Sequence, residues 1–273
     1  MEKSKANLID THAHLAWRNY PNIDEVIKRS QEAGVSKIVC VTSATKEIPE
    51  AIMLAEKYQE VYLSLGIHPQ DTKDTSSYQL ELELKELEKA CLHPKVVAIG
   101  ECGFDFSTPP PNERSRDIKE QEYIFKFQTL LAQKLNKPQV LHCRQAKDAM
   151  VAFIQNHKII SGVWHCFVED TKVAEFALTQ GLLLSFNGIV TYKNGLGVLE
   201  IAKTIPLEKI LLETDSPLLI PEPLRSSPKV QLNEPAYVKI VAQKIAQARG
   251  LQEATLAIAT SKNACELFNL SYE

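Results

Sequence analysis

Eight short apolar runs, rich in β-branched residues and leucine, recur along the chain at 8–9, 37–42, 61–65, 96–99, 139–141, 162–164, 182–186 and 210–212. Between them lie longer stretches, such as 24–33, 48–58, 80–90, 121–135 and 171–180, whose apolar residues fall three and four apart. That spacing predicts amphipathic helices. Strands that are apolar throughout and alternate with helices belong to parallel sheets covered on both faces. Eight such units match the closed (β/α)8 TIM barrel, an α/β fold, although a doubly wound open sheet has the same alternation.

The polar residues decide between the two. His12, His14, His68, Glu101, His142, His165 and Asp215 fall at or just after the C-terminal ends of six different predicted strands. A barrel gathers those ends around one mouth, whereas an open sheet strings them along a line. The 273 residues suit one barrel, so we expect a single domain over 1–273. Two loop-like stretches, 107–112 and 217–235, follow strand ends, and two helices, 234–248 and 252–268, should close the barrel exterior.

Composition narrows the function classes. Hydrophobic residues at 44% and charged residues at 24% exclude a disordered or fibrous chain. A net charge of −3 gives no overall pull toward nucleic acid or an anionic membrane, so any attraction for a polyanion must be local. No apolar run is long enough to span a bilayer, and the first seven residues lack the apolar stretch of a secretory signal. We therefore expect a cytoplasmic protein without an obligate protein partner. Its six scattered cysteines, with no Cys-x-x-Cys pair, should be reduced.

Each candidate residue has an ordinary reading of its own, and the set is what points to chemistry. His12 and His14 are alternate residues at a strand end, so both imidazoles can face one cation. Glu101 follows a run that reads as a buried strand, where a carboxylate needs a cation or an arginine. Alone it would be a turn residue. His142 and His165 repeat the pattern apolar-apolar-His-Cys; Cys143 and Cys166 should point the other way and serve packing. Asp215 could bind a metal and accept a proton from water, and Glu213 would share its face if the strand continued. This mixed nitrogen and oxygen set suits divalent magnesium, manganese or zinc, and six ligands fit two ions better than one.

These residues sit in Ile9-Asp10-Thr11-His12-Ala13-His14, Gly66-Ile67-His68-Pro69, Gly100-Glu101-Cys102-Gly103-Phe104-Asp105, Leu141-His142-Cys143-Arg144, Trp164-His165-Cys166-Phe167 and Glu213-Thr214-Asp215-Ser216-Pro217. With these motifs in this order, essentially the whole chain resembles the TatD family of metal-dependent deoxyribonucleases in the amidohydrolase superfamily. The resemblance implies one ion on His12, His14, Glu101 and Asp215, and a second on Glu101, His142 and His165, with Glu101 bridging. It also implies that His68 contacts phosphate or water, although a loop histidine against Pro69 is an equally ordinary reading. Arg144, Lys193 and Asn194 follow strand ends where they could meet a phosphate or stay solvated. Cys102 and Phe104 stand where the family often has aliphatic residues and Phe106 where it often has Tyr. The segment 225–233 lacks the Gly-Lys that many members carry before Asn-Glu-Pro, which leaves substrate preference open.

The expected activity is hydrolysis of DNA phosphodiesters from single-stranded 3′ ends by metal-activated water. Asp215 would be the base, with Glu101 and His68 in the catalytic set and His68, Arg144 and Lys193 meeting substrate. Two alternatives stand beside it: a hydrolase of a small-molecule ester, lactone or amide built on the same site, and a metal-binding partner protein without turnover.

Overall fold

The computed structural model describes residues 7–70, 76–108 and 116–272. Its strands are β1 (Leu8–Ala13), β2 (Val35–Val41), β3 (Val61–Leu65), β4 (Val96–Asp105), β5 (Gln139–Arg144), β6 (Gly162–Trp164), β7 (Leu183–Phe186) and β8 (Ile210–Leu212). Each pairs in parallel with the next, giving a single eight-stranded sheet in sequence order. The ends join just past β8. Ala13 bridges Ser216, the His14 N–H donates to the Ser216 carbonyl at 2.7 Å, and the Asp215 N–H donates to the His12 carbonyl at 2.9 Å. The barrel alternative is therefore the correct one, and the closure runs through three of the candidate ligands, His12, His14 and Asp215.

Helices α1 (Ile23–Ala33), α2 (Ile48–Lys57), α3 (Ser77–Ala90), α4 (Ile118–Leu135), α5 (Lys147–Asn156), α6 (Thr171–Thr179) and α7 (Leu196–Thr204) fill the seven crossovers. After β8 a long loop leads to α8 (Val238–Arg249) and α9 (Glu253–Phe268), the two helices expected in the tail. Polar side chains set several helix starts: Asn22 caps α1, and Asp117 forms a reciprocal capping box with Glu120 at α4. Among the described residues no helix is long and apolar enough to cross a membrane.

Two apolar layers surround the strands. Most of the core lies between strands and helices. A smaller cluster joins Ile9, Val39, Ala98, Val140, Val163 and Leu211 from six strands and is stoppered by Ala264, Cys265 and Phe268 of α9. Strands that are not neighbours can share one cluster only if those side chains point to a common axis. This apolar plug fills the interior beneath the strand ends that carry the polar residues.

Three expectations need correction. First, β4 does not stop at 99 but runs to Asp105 across a register shift between Ile99 and Cys102, so Glu101 lies within a strand. A glycine makes this placement fit: a Cβ on Gly66 would lie 2.4 Å from the Gly100 carbonyl carbon. Without one, the Glu101 N–H reaches the Thr42 carbonyl at 3.4 Å. Second, β8 ends at Leu212, and Asp215 follows in a left-handed conformation at φ 56°, so Glu213 and Asp215 do not share a face. Third, Cys166 is also left-handed, at φ 47°, and only half-buried, so it is not the packing residue that extended geometry implied; Cys143 does join the core. Part of the predicted 107–112 loop, 109–112, lies outside the described residues.

Candidate metal centre

Six side chains from five strand ends converge at the mouth. Glu101 stands at the centre with its oxygens turned to opposite sides. Oε1 lies 2.6 Å from His142 Nδ1 and 2.8 Å from His165 Nε2. Oε2 lies 3.7 Å from His12 Nε2 and 3.8 Å from His14 Nε2. Asp215 Oδ1 completes the second group, 3.4 Å from His14 Nε2 and 3.7 Å from His12 Nε2. The two rings within each group also face each other: His12 and His14 through Nε2 atoms 3.2 Å apart, and His142 Nδ1 with His165 Nε2 at 3.2 Å.

The donor set fits a divalent cation. Ring nitrogens and carboxylate oxygens come within 4.8 Å of one another in the groups His12-His14-Glu101, His12-His165-Asp215 and Glu101-His142-His165. Such a concentration of buried donors has little reason to exist without positive charge at its centre. His12 Nδ1 has no hydrogen-bond partner, so only its Nε2 is engaged.

Protonation follows from these distances. Burial alone would raise Glu101, but His165, His68 and His142 hold it well below the ordinary carboxylate range. Burial opposes charge on His165 as well, yet the Glu101 and Glu213 carboxylates outweigh it and raise its pKa well above the usual value. His142 moves up for the same reason, helped by Asp105, and His14 through Asp215 and Glu101. His12, stacked on His165 at 3.9 Å between ring centres, is driven down by burial and then by that neighbour. Without metal, then, the carboxylates favour protons on His14, His142 and His165, where a cation would sit.

His68 lies at the open side of the cluster. Its Nε2 is 3.7 Å from Glu101 Oε1, its Nδ1 accepts the Gln70 N–H at 3.0 Å, and burial, followed by His142, lowers its pKa to about 3. Together with the His142 and Asp215 side chains it is the most accessible part of the cluster, at 18, 14 and 11% exposure. Arg144, the last residue of β5, and Lys193 and Asn194, after β7, are exposed near the rim and outside the cluster.

Sequence reasoning missed the supporting layer. Asp105 Oδ2 backs His142 Nε2 at 3.3 Å, and Glu213 Oε1 faces His165 Nδ1 at 3.6 Å. Glu213 is itself held by the Cys166 N–H at 2.7 Å and Asn187 Nδ2 at 3.1 Å. Asp10, fully buried, accepts the His12 N–H, the Thr214 N–H and the Thr214 hydroxyl, and burial pushes its pKa up to about 8 despite those bonds. Trp17 stacks on His14 at 4.0 Å. A carboxylate two to four residues from a candidate ligand was the only signal available, and surface aspartates give the same one.

A parallel barrel carrying histidines and carboxylates at the C-terminal ends of its strands is the architecture of a metal-dependent hydrolase. The chain belongs to the TatD related DNase family, whose model matches residues 9–269. It is 35% identical over 267 residues to an uncharacterized metal-dependent hydrolase of Bacillus subtilis, YabD, covering 97% of this chain and 100% of that one. It is 34% identical over 252 residues to the 3′-5′ ssDNA/RNA exonuclease TatD of Escherichia fergusonii, covering 91 and 94%. The crystal structure of YjjV, a TatD homologue from Escherichia coli, superposes with a TM-score of 0.86 at 27% identity, covering 97 and 98%.

Proposed function

We propose that this protein is a single-domain, cytoplasmic nuclease that uses two divalent cations to hydrolyse DNA phosphodiesters from the 3′ ends of single strands. The carrying observation is the division of labour at Glu101, whose Oε2 is turned to His12, His14 and Asp215 while its Oε1 is turned to His142 and His165. One carboxylate with a histidine pair at each oxygen suits a bridge between two ions. The name carried by the Escherichia fergusonii relative supports the substrate and the polarity, and extends the substrate to RNA.

Magnesium, manganese or zinc held there would supply the Lewis acidity that makes water a nucleophile near neutral pH and offsets charge building on a phosphate. The chain provides the rest. Asp215, at the accessible side of its group, takes the proton from the attacking water. His68, neutral because burial and His142 hold its pKa low, donates no net charge but offers Nε2 to a phosphate oxygen or water. Arg144 and Lys193, both exposed at the rim, attract the backbone that follows the cleaved bond. A single strand or frayed end enters such a mouth more readily than an intact duplex.

Metal-stripped protein, reloaded with magnesium, manganese or zinc, is incubated with single-stranded DNA labelled at either end, beside Asp215→Asn and Glu101→Gln. Stepwise metal-dependent shortening from the 3′ end, reduced at least about 100-fold by either substitution, supports the proposal. Equal cleavage of a closed circle would remove the exonuclease part. Full metal loading without cleavage of any nucleic acid would instead favour a small-molecule ester or amide substrate.

A further inference from the structure

His142 and His165 approach Glu101 through opposite ring nitrogens. Nδ1 of His142 and Nε2 of His165 lie 2.6 and 2.8 Å from the same oxygen. A neutral imidazole offers a cation the nitrogen that lacks the proton, so His142 must carry its proton on Nε2 and His165 on Nδ1. The partner of the far nitrogen sets which tautomer forms.

We propose that Asp105 is the positioning residue that selects the tautomer of His142, an assignment resting on the metal-centre reading above. Its Oδ2 lies 3.3 Å from His142 Nε2. Its Oδ1 is already committed, accepting the Ser107 N–H at 2.8 Å and the Ser107 hydroxyl at 2.6 Å. The backbone is pinned too: the Asp105 N–H donates to Gln121 Oε1 at 2.9 Å, and its carbonyl accepts from Gln70 Nε2 and Gln121 Nε2, each at 2.9 Å. With its side chain 4% exposed, Asp105 can neither turn away nor be replaced readily by water.

Committed oxygens give the assignment an unusual consequence. In Asp105→Asn the carbonyl oxygen stays with the two Ser107 donors, which turns the amide N–H toward His142 Nε2. That nitrogen must then accept, and the ring proton moves to Nδ1, the face turned to Glu101 and the cation. Glu213 behaves differently. Its Oε1 receives the Cys166 and Asn187 donors and also faces His165 Nδ1. Glu213→Gln therefore keeps an acceptor opposite His165, and the tautomer of that ring is preserved.

Metal-free wild type, Asp105→Asn, Asp105→Ala and Glu213→Gln are titrated with zinc by calorimetry, and histidine nitrogen NMR is recorded on the zinc-loaded proteins. The Asn variant should bind zinc about 10- to 100-fold more weakly. Ala, which removes an acceptor without adding a donor, should lose less, and Glu213→Gln least. A packing role predicts the reverse order, because Asn is nearly the same shape as Asp. Zinc binding by Asn equal to wild type, a loss with Ala as large as with Asn, or a wild-type His142 carrying its proton on Nδ1 would each overturn the assignment. If the Asn variant does not fold, the wild-type His142 resonance decides. Failure of the wild type to take up zinc would remove the metal-centre reading and this one together, whereas uptake with an unaffected Asn variant removes only the role of Asp105.

Discussion

At the scale of single residues, the carboxylates of the cluster favour protonated forms of the histidines they face. His142 and His165 have raised pKa values because burial, which favours their neutral forms, is outweighed by Glu101 and the carboxylates behind each ring. The favourable pairing in metal-free protein is therefore complete below the ordinary histidine pKa of about 6.5 and is lost as pH rises through the raised values. A cation takes the same nitrogens and must displace those protons. Calorimetric titration at neutral pH, in buffers of different ionisation enthalpy, should show proton release on metal binding and an apparent affinity that rises with pH. An affinity independent of pH between 6 and 8 would mean that the rings are already neutral. The residues that form the cluster were legible in the sequence, since two His-x-His partners, two His-Cys repeats and isolated carboxylates all stood at or just after predicted strand ends. Asp105 and Asp10 were not legible as site residues, because what distinguishes them is burial beneath His142 and His12, which no spacing encodes.

At the scale of elements, β4 is the critical strand. Glu101 reaches the centre because β4 continues past its expected end and leans over Gly66. Gly66→Ala would put a methyl group 2.4 Å from the Gly100 carbonyl carbon and 2.7 Å from the Glu101 nitrogen, both backbone atoms that no rotamer change can move aside. We expect a loss of about 1–3 kcal/mol from overpacking, together with weaker metal binding because Glu101 shifts with its strand. Urea unfolding with and without metal checks both parts; a stability loss with unchanged metal affinity would show that Glu101 is held independently of Gly66. The helices were largely visible in the sequence, and their ends moved by a few residues where caps such as Asp117 with Glu120 set the first turn. The end of β4 was hidden because Gly-Glu-Cys-Gly reads as a turn, and only pairing with β5 holds it extended through Asp105.

At the scale of the whole molecule, the site and the barrel closure are one structure. β8 meets β1 through the His14–Ser216 and Asp215–His12 backbone bonds, so three of the candidate ligands also fasten the ring. A metal that binds only the folded protein should therefore stabilise the entire barrel. At a free metal concentration 100-fold above Kd the gain is about 2.7 kcal/mol, which for a chain of this size corresponds to a Tm increase of several degrees. Thermal unfolding with excess chelator and with added zinc or manganese measures it, and identical melting curves would show that the centre is not coupled to closure. The order of elements and the residue types of the cluster followed from the sequence alone, because the 3.6-residue and continuous apolar patterns, and the positions of His, Glu and Asp within them, are local properties. Which nitrogen each histidine presents, which carboxylates stand behind them and how Asp215 turns back toward His12 were decided only by the tertiary structure. Those features depend on distances between residues as far apart in the chain as His12 and Asp215, and only the closing of the barrel sets such distances.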